Sequence, residues 1–486
     1  MPQQGSLSKG WCYLVLAQLL LWGLLPGLLV ESLPLDVVEG AYWGREWQWG
    51  YYKHPPFPAW VLHLFQSSLG DIGPFLLSQL CIGLTLFCVW RLGRRMLTHE
   101  QSAFGVLALF GVYYFTWPTI EFNHNIAQMP LWAAAVLLFH RGISDWRYRD
   151  WLLLGLVAGL GLLTKYSVVV LLAAMFLWLL RPELRRAFLR PQPWLAALVM
   201  VLVFLPHLLW LVQHDFLPFT YFEDRTADAA ADSSRIWGPL RFLLVQLVDH
   251  LPLFLLLILA GFWRPGRWQR PAAGAAFILF MGLAPALLTT LGAIITGAGT
   301  RDMWGTPMWN LSGLMLATLI PAEVLRRYQR PLLSAFGGFL LLLTLCMLLF
   351  VGFKDQLRDK PSRTGWPDKA LAQSLASEWS RYSDCPLQLV AGDYWLAELV
   401  ALELPGASAV PESDLRLAPW ADSQRVHAQG MIELAQGDEV RWGARLSELG
   451  QWDVQGQVSI PWPRLPEHRP LTVSWRLWLP QEQCGN

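Results

Sequence analysis

Apolar stretches long enough to cross a hydrocarbon core, roughly 20 residues each, recur along most of this chain. They lie near residues 11–30, 72–90, 103–120, 126–140, 194–213, 237–262, 272–296, 304–322 and 331–352. One further run, 151–180, is interrupted only at Thr164-Lys165-Tyr166. At about 30 residues it is too long for one ordinary span of roughly 20, so it reads as two short helices that turn at the lysine. The expectation is an all-α polytopic membrane protein with about eleven transmembrane helices. The backbone at the Lys165 turn must then be buried in protein, because irregular backbone is not tolerated in contact with lipid.

Composition agrees. Hydrophobic residues make up 54% of the 486 positions and charged residues only 15%, against roughly 25% charge in soluble domains. The net charge of +1 says nothing about partners, and no basic arm suggests nucleic acid. The 28 tryptophans suit membrane–water interfaces, and an indole also stacks on a sugar ring.

Cations divide the loops into two sets. Arg91/Arg94/Arg95, Arg141/Arg147/Arg149, Arg181/Arg185/Arg186/Arg190, Arg264/Arg267/Arg270, Arg326/Arg327/Arg330 and Lys9 fall on one side. Arg45, Lys53, Lys165, Arg225, Arg235 and Arg301 are what the other side offers. The positive-inside rule places the N-terminus in the cytoplasm and the loop after the first span outside. With an odd number of spans the C-terminal part is outside too. The first apolar run is longer than a signal-peptide core and lacks a small-x-small cleavage site, so it reads as an uncleaved span.

The membrane domain is expected to cover 1–353, with 354–486 as a small C-terminal α/β domain outside. In that domain Leu387, Leu389 and Val390 read as a strand and Leu396–Leu404 as a helix. Leu471–Leu479 alternates apolar and polar, as a half-buried strand does. Cys12, Cys81, Cys88 and Cys346 fall in apolar spans as packing residues. Cys385 and Cys484 share the external domain, where an oxidising compartment permits a disulfide.

The chain has no Gly-rich phosphate loop, no dinucleotide fingerprint and no His/Cys cluster at zinc spacing. Chemistry is therefore sought at the external face. The first external loop, residues 31–71, contains LPLDVVEGAYWGREWQWGYYKHPPFPAW over 33–60. Asp36 and Glu39 stand three residues apart, on one face if a helix starts there; either is a candidate general base. Lys53-His54 precede Pro55-Pro56, whose rings stiffen the backbone and fix the direction of His54. Lys53 can meet a phosphate or anchor at a lipid headgroup; His54 can donate to a substrate or cap a helix. Glu121-Phe122-Asn123-His124-Asn125 ends the third span on the same side, with Glu121 and Asn123 as secondary candidates or a plain polar turn. Lys165, with Tyr166 beside it, is a costly cation in an apolar run and a functional candidate by default, unless the turn reaches water and the lysine snorkels. Arg301-Asp302 offers a fork suited to phosphate, or an ion pair that anchors a helix start.

These segments resemble the polyprenyl-phosphate-sugar-dependent membrane glycosyltransferases, glycosyltransferase family 39. That family includes the protein O-mannosyltransferases and the lipid A aminoarabinose transferases. The likeness rests on the acidic loop with Ala41-Tyr42-Trp43, on Gly50–Trp60 as G-Y-x-x-H-P-P-x-x-x-W, on Leu163–Tyr166 as L-T-K-Y, and on Arg301–Pro307 as R-D-x-W-G-x-P. Members commonly carry adjacent Asp-Glu; here Val38 precedes Glu39, so Glu39 takes the family's Glu position and the base remains open between Glu39 and Asp36. The resemblance implies the C-type (GT-C) architecture with a catalytic first external loop. It implies transfer of one sugar from a polyprenyl phosphate, with inversion, to an envelope glycolipid, polysaccharide or protein at a bacterial inner membrane. Lys165 is then expected to meet the lipid phosphate. No cofactor is certain on this reading, and a divalent metal stays open: the two carboxylates could hold a divalent cation but are too few to claim a site. The rival expectations are a transporter or flippase of lipid-linked sugars and a noncatalytic envelope-assembly protein. A transporter should show related halves and a polar midplane path, neither of which is visible.

Overall fold

The computed structural model describes residues 6–231, 234–437 and 442–481, apart from 444, 445, 447 and 448. In chain order the helices are α1 (Ser6–Leu29), α2 (Leu35–Glu46), α3 (Phe57–Leu69), α4 (Gly73–Met96), α5 (His99–Leu109), α6 (His124–Asp145), α7 (Tyr148–Leu162) and α8 (Val168–Leu179). They continue with α9 (Pro191–Gln213), α10 (Leu217–Ala231), α11 (Trp237–Val248), α12 (Leu251–Leu259), α13 (Ala276–Thr296), α14 (Ser312–Ala317), α15 (Ala322–Arg327) and α16 (Gln329–Arg358). Towards the C-terminus come α17 (Asp368–Trp379), β1 (Leu389–Gly392), α18 (Tyr394–Glu403), β2 (Ser408–Pro411), α19 (Ser423–Gln429), β3 (Met431–Gln436), β4 (Val454–Ile460) and β5 (Leu471–Trp478).

Two compact units result. One comprises Met1–Leu25, Trp49–Pro58 and Phe75–Met347; the other comprises Pro26–Gln48, Ala59–Pro74 and Leu348–Asn486.

Among the described residues, 7 helices are long and apolar enough to cross a membrane, or 8 if the pair His99–Leu109 and Tyr113–Ile120, bent by 88°, counts as one span. The expected total of about eleven is not reached by this measure. The difference lies in α7, α8 and the stretch 302–317, which are too short or too irregular to pass. The run 151–180 does break at the lysine: α7 ends at Leu162, α8 begins at Val168, and Thr164 and Lys165 amides close the turn onto the Gly161 carbonyl. Stretch 302–317 is a 3₁₀ segment (Asp302–Trp309, containing Pro307) followed by the single-turn-and-a-half α14.

In the first unit, α7 packs along α9 through Gly155-x-x-x-Gly159. A Cβ at Gly155 would stand 2.3 Å from the Ala196 carbonyl oxygen, and one at Gly159 would stand 2.7 Å from Val203 Cβ. Such close approach replaces the hydrophobic effect as the glue between helices in lipid. The start of α7 is tied to α6 by fully buried Asp150, 2.6 Å from the Arg141 guanidinium.

The second unit holds a mixed sheet of order β2-β1-β3-β5-β4. β1 pairs parallel with β2 and β3, whereas β5 pairs antiparallel with β3 and β4. The expected strand and helix at 387–404 appear as β1 and α18, and Asp393 caps α18 by accepting from the Trp395 amide at 3.1 Å. β5 departs from the half-buried alternation expected of it, since its polar Ser474 and Arg476 are buried as well. The reason is a cross-strand ion pair: Arg476 lies opposite buried Glu433 and bonds to it. The Trp442, Trp452 and Trp478 rings surround the guanidinium at 4.7–4.9 Å. Cys385 is disulfide-bonded; Cys484, its expected partner, lies outside the described residues.

Candidate active site

Asp36 and Glu39 belong to the second unit. Pro34, held extended, starts α2, which places Asp36 in the first turn and Glu39 one turn on. Asp36 is half-buried and Glu39 is 8% exposed. A carboxylate in the first turn is favoured by the helix dipole. α2 is buried on nearly every side: the Trp43 indole donates to Glu398 Oε1 at 3.1 Å, the Tyr42 hydroxyl accepts from the Ala409 amide at 2.6 Å, and Arg45 donates to the Ala401 carbonyl at 2.8 Å. The acids therefore ride on a helix whose orientation is fixed by α18 and β2, not on a loose loop.

The first unit gathers most of the remaining candidates. The Tyr51 amide donates to the His54 carbonyl at 3.1 Å, closing a turn that presents Lys53 and His54. The His54 ring lies 4.1 Å from the His124 ring, and His124 hydrogen-bonds the Pro55 backbone. Tyr221 of α10 completes this corner, 6.0 Å edge-on from His54 and 5.7 Å from the Lys53 ammonium. Burial first, then the neighbouring charges of His124, Lys165 and Lys53, hold His54 well below its ordinary pKa near 6.5. It is thus neutral at pH 7 and acts as a hydrogen-bonding group. Lys165 points its ammonium to Asn125 Oδ1 at 2.6 Å. One turn beyond Tyr221 on α10, the Arg225 carbonyl accepts from Arg301 at 3.4 Å.

Other candidates serve the framework. Asn123 caps α6, its Oδ1 accepting from the Asn125 and Ile126 amides at 2.9 and 3.2 Å. Glu121 follows the short 3₁₀ turn Trp117–Ile120 and is partly buried. The Asp302 carboxylate is exposed; its backbone carbonyl is what the fold uses, accepting from Tyr114 at 2.7 Å and Gln246 at 3.2 Å. Tyr166 donates to His207 Nε2 at 2.8 Å. Asn125, His124, Tyr221 and His207 were not singled out in the sequence. Asn125 and His124 stand in a polar run that was, and a histidine inside an apolar span was a signal available for His207. Among the described residues no group of three or more His, Cys, Asp or Glu is arranged to hold a metal ion.

One unit carries a lysine at a broken apolar run, and the other carries two acids on α2 together with a mixed sheet. ArnT from Cupriavidus metallidurans, whose crystal structure contains undecaprenyl phosphate, has this fold: TM-score 0.65 at 16% identity, over 96% of this chain and 98% of that one. A family model described as dolichyl-phosphate-mannose-protein mannosyltransferase matches residues 53–210. The lipopolysaccharide core galacturonosyltransferase RgtA of Rhizobium johnstonii is 26% identical, covering 79% of this chain and 78% of its own length. An undecaprenyl phosphate-alpha-4-amino-4-deoxy-L-arabinose arabinosyl transferase of Pseudomonas fluorescens is 24% identical over 84% and 76%. The chain is thus similar in fold to ArnT and, over most of its length, similar in sequence to these glycosyltransferases.

Proposed function

We propose that this enzyme moves one sugar from a polyprenyl-phosphate donor to an envelope glycolipid, at the periplasmic face of a bacterial inner membrane. The observation that carries the reading is the Lys165 turn. It sets an ammonium between two short helices, beside Asn125 and the His54–His124 pair, as a phosphate at a membrane surface requires. The relatives, named for transfer to lipopolysaccharide core and from undecaprenyl phosphate, support the donor and acceptor classes.

In this proposal the acceptor hydroxyl attacks the anomeric carbon as the bond from that carbon to the phosphate oxygen breaks. Glu39 or Asp36 takes the hydroxyl proton, and a single displacement inverts the centre. The electron pair of the breaking bond stays on the polyprenyl phosphate, whose growing charge Lys165 and Arg301 stabilise. Lys53 and His54 would hold the phosphate or a sugar hydroxyl. Tyr166 would line the same turn. The N-terminus is assigned to the cytoplasm and the sheet-containing unit to the periplasm from the asymmetry of arginines.

The test is the chemical fate of a radiolabelled polyprenyl-phosphate sugar in reconstituted vesicles with lipopolysaccharide as acceptor. The expected result is label on the glycolipid and free polyprenyl phosphate. Recovery of label only as intact donor moved between leaflets would replace this reading with transport. Lys165→Met separates the two further: a leaving-group contact strengthens as charge develops, so turnover should fall far more than donor affinity.

A further inference from the structure

The first external loop meets the Lys165-Tyr166 turn twice: the Phe57 amide donates to the Leu163 carbonyl at 3.0 Å, and one imidazole bridges Trp49 to Tyr166. His207 sits in α9 immediately after Pro206 and is fully buried. Its Nδ1 lies 2.6 Å from the Trp49 carbonyl oxygen and its Nε2 lies 2.8 Å from the Tyr166 hydroxyl. A carbonyl only accepts, so Nδ1 carries the proton; Nε2 of a neutral ring is then an acceptor, and the tyrosine hydroxyl donates to it. Both ring nitrogens are used, and each is used by a different part of the site.

The surroundings leave the ring little freedom. Trp210 lies one turn on in α9, 5.9 Å away and nearly parallel at 10°. The backbone at Gly50 rests against Trp210 so closely that a Cβ there would be 2.3 Å from the indole. Tyr166 is held on its other side by the Phe219 ring at 5.2 Å. Thus Trp49-Gly50, which opens the turn that presents Lys53 and His54, is fastened to the same helix that orients Tyr166 next to Lys165.

We infer that His207 is a positioning residue for the transfer: it fixes the register of the Lys53-His54 loop against the Lys165-Tyr166 turn, without touching substrate itself. This inference rests on the proposed function, because the groups it aligns are those assigned to donor phosphate and sugar.

Three substitutions separate its two bonds. In His207→Asn the amide nitrogen takes the place of Nδ1, keeping the Trp49 tether and losing the Tyr166 acceptor. His207→Gln reaches the Nε2 position, accepting from Tyr166 and losing the tether. His207→Leu loses both. A misplacement near 1 Å costs about a hundredfold in rate, so His207→Leu should lower kcat by roughly ten- to a hundredfold with little change in donor KM. His207→Asn and His207→Gln should each lose less, and Tyr166→Phe should add nothing to His207→Asn. A second readout needs no substrate: trypsin should cut after Lys53 faster in His207→Gln and His207→Leu than in wild type, and at the wild-type rate in His207→Asn. If His207→Leu does not fold, the Asn and Gln variants decide. Wild-type kcat and wild-type proteolysis across the set would overturn the inference. So would equal losses in all variants that simply follow their thermal stability, which is what a packing residue gives. Absence of transfer by the wild type would instead sink the proposed function, while the trypsin pattern would still report on the tether.

Discussion

At the scale of the residue, the proposal places different demands on the acids and the bases. Glu39 and Asp36 are fixed by α2, so conservative variants test chemistry more than folding. Glu39→Gln or Asp36→Asn in the base should cost about 10²–10⁴-fold in turnover, measured on purified protein with a polyprenyl-phosphate sugar. Full turnover in both single variants and in the double variant would remove the first loop from catalysis. His54 has a pH signature. Its imidazole is neutral in the folded protein well below pH 6.5, whereas in the unfolded chain it takes a proton near pH 6.5. The unfolded state binds more protons in that window, so stability falls as pH drops below about 6.5. In His54→Gln this contribution is absent. Thermal unfolding in detergent from pH 8 to pH 5 should show a steeper fall in Tm for wild type than for the variant; parallel curves would refute the assignment. The types of residue at this site were legible one by one, but their partners were not. Lys165 was visible as a lone cation, whereas Asn125 meets it from 40 positions away, and nothing local in the sequence announces such a pair.

At the scale of the element, the broken span is the decisive feature. Its break was legible because hydrophobic length and one lysine suffice to mark it. The device that holds its first half in place is the Gly155-x-x-x-Gly159 face against α9, a pattern present in the sequence whose partner helix the sequence leaves unstated. Because α7 leads into Lys165 and α9 carries His207, this face sets both sides of the turn. Gly159→Leu would force its side chain against Val203, and overpacking of this kind costs about 1–3 kcal/mol. The expected outcome is a lower Tm and reduced transfer, with Gly292→Leu on α13, where a Cβ meets open space, as the matched control. An unchanged Tm in Gly159→Leu would mean that α7 and α9 are not in close contact. Misreading β5 as half-buried had the opposite cause. Alternation marks the strand correctly, but only its cross-strand Glu433 and three surrounding tryptophans explain why Arg476 is inside.

At the scale of the whole molecule, the proposed orientation rests on the arginines and is open to direct test. Reporter fusions after Arg95, Arg149 and Arg190 should report cytoplasm, and those after Tyr52 and Gly392 the outside. An external signal at Arg190 would overturn the two-short-helix topology on which the placement of Lys165 depends. Hydropathy and loop charge made the membrane class and a separate C-terminal α/β unit legible, because both are written in local composition. Membership of residues 26–48 and 59–74 in that later unit was not, since it is created by contacts across most of the chain. Trp43 and Glu398, which hold α2 in place, are separated by 355 residues. At a synthesis rate of about 5–20 residues per second, α2 exists for roughly 20–70 s before the partner that orients its carboxylates has been made. The helix bearing the proposed base is thus among the earliest parts to be synthesised and among the last to be assembled. A nascent or prematurely terminated chain ending before residue 389 therefore lacks the Glu398 and Ala409 partners of Trp43 and Tyr42, and with them the contacts that fix α2.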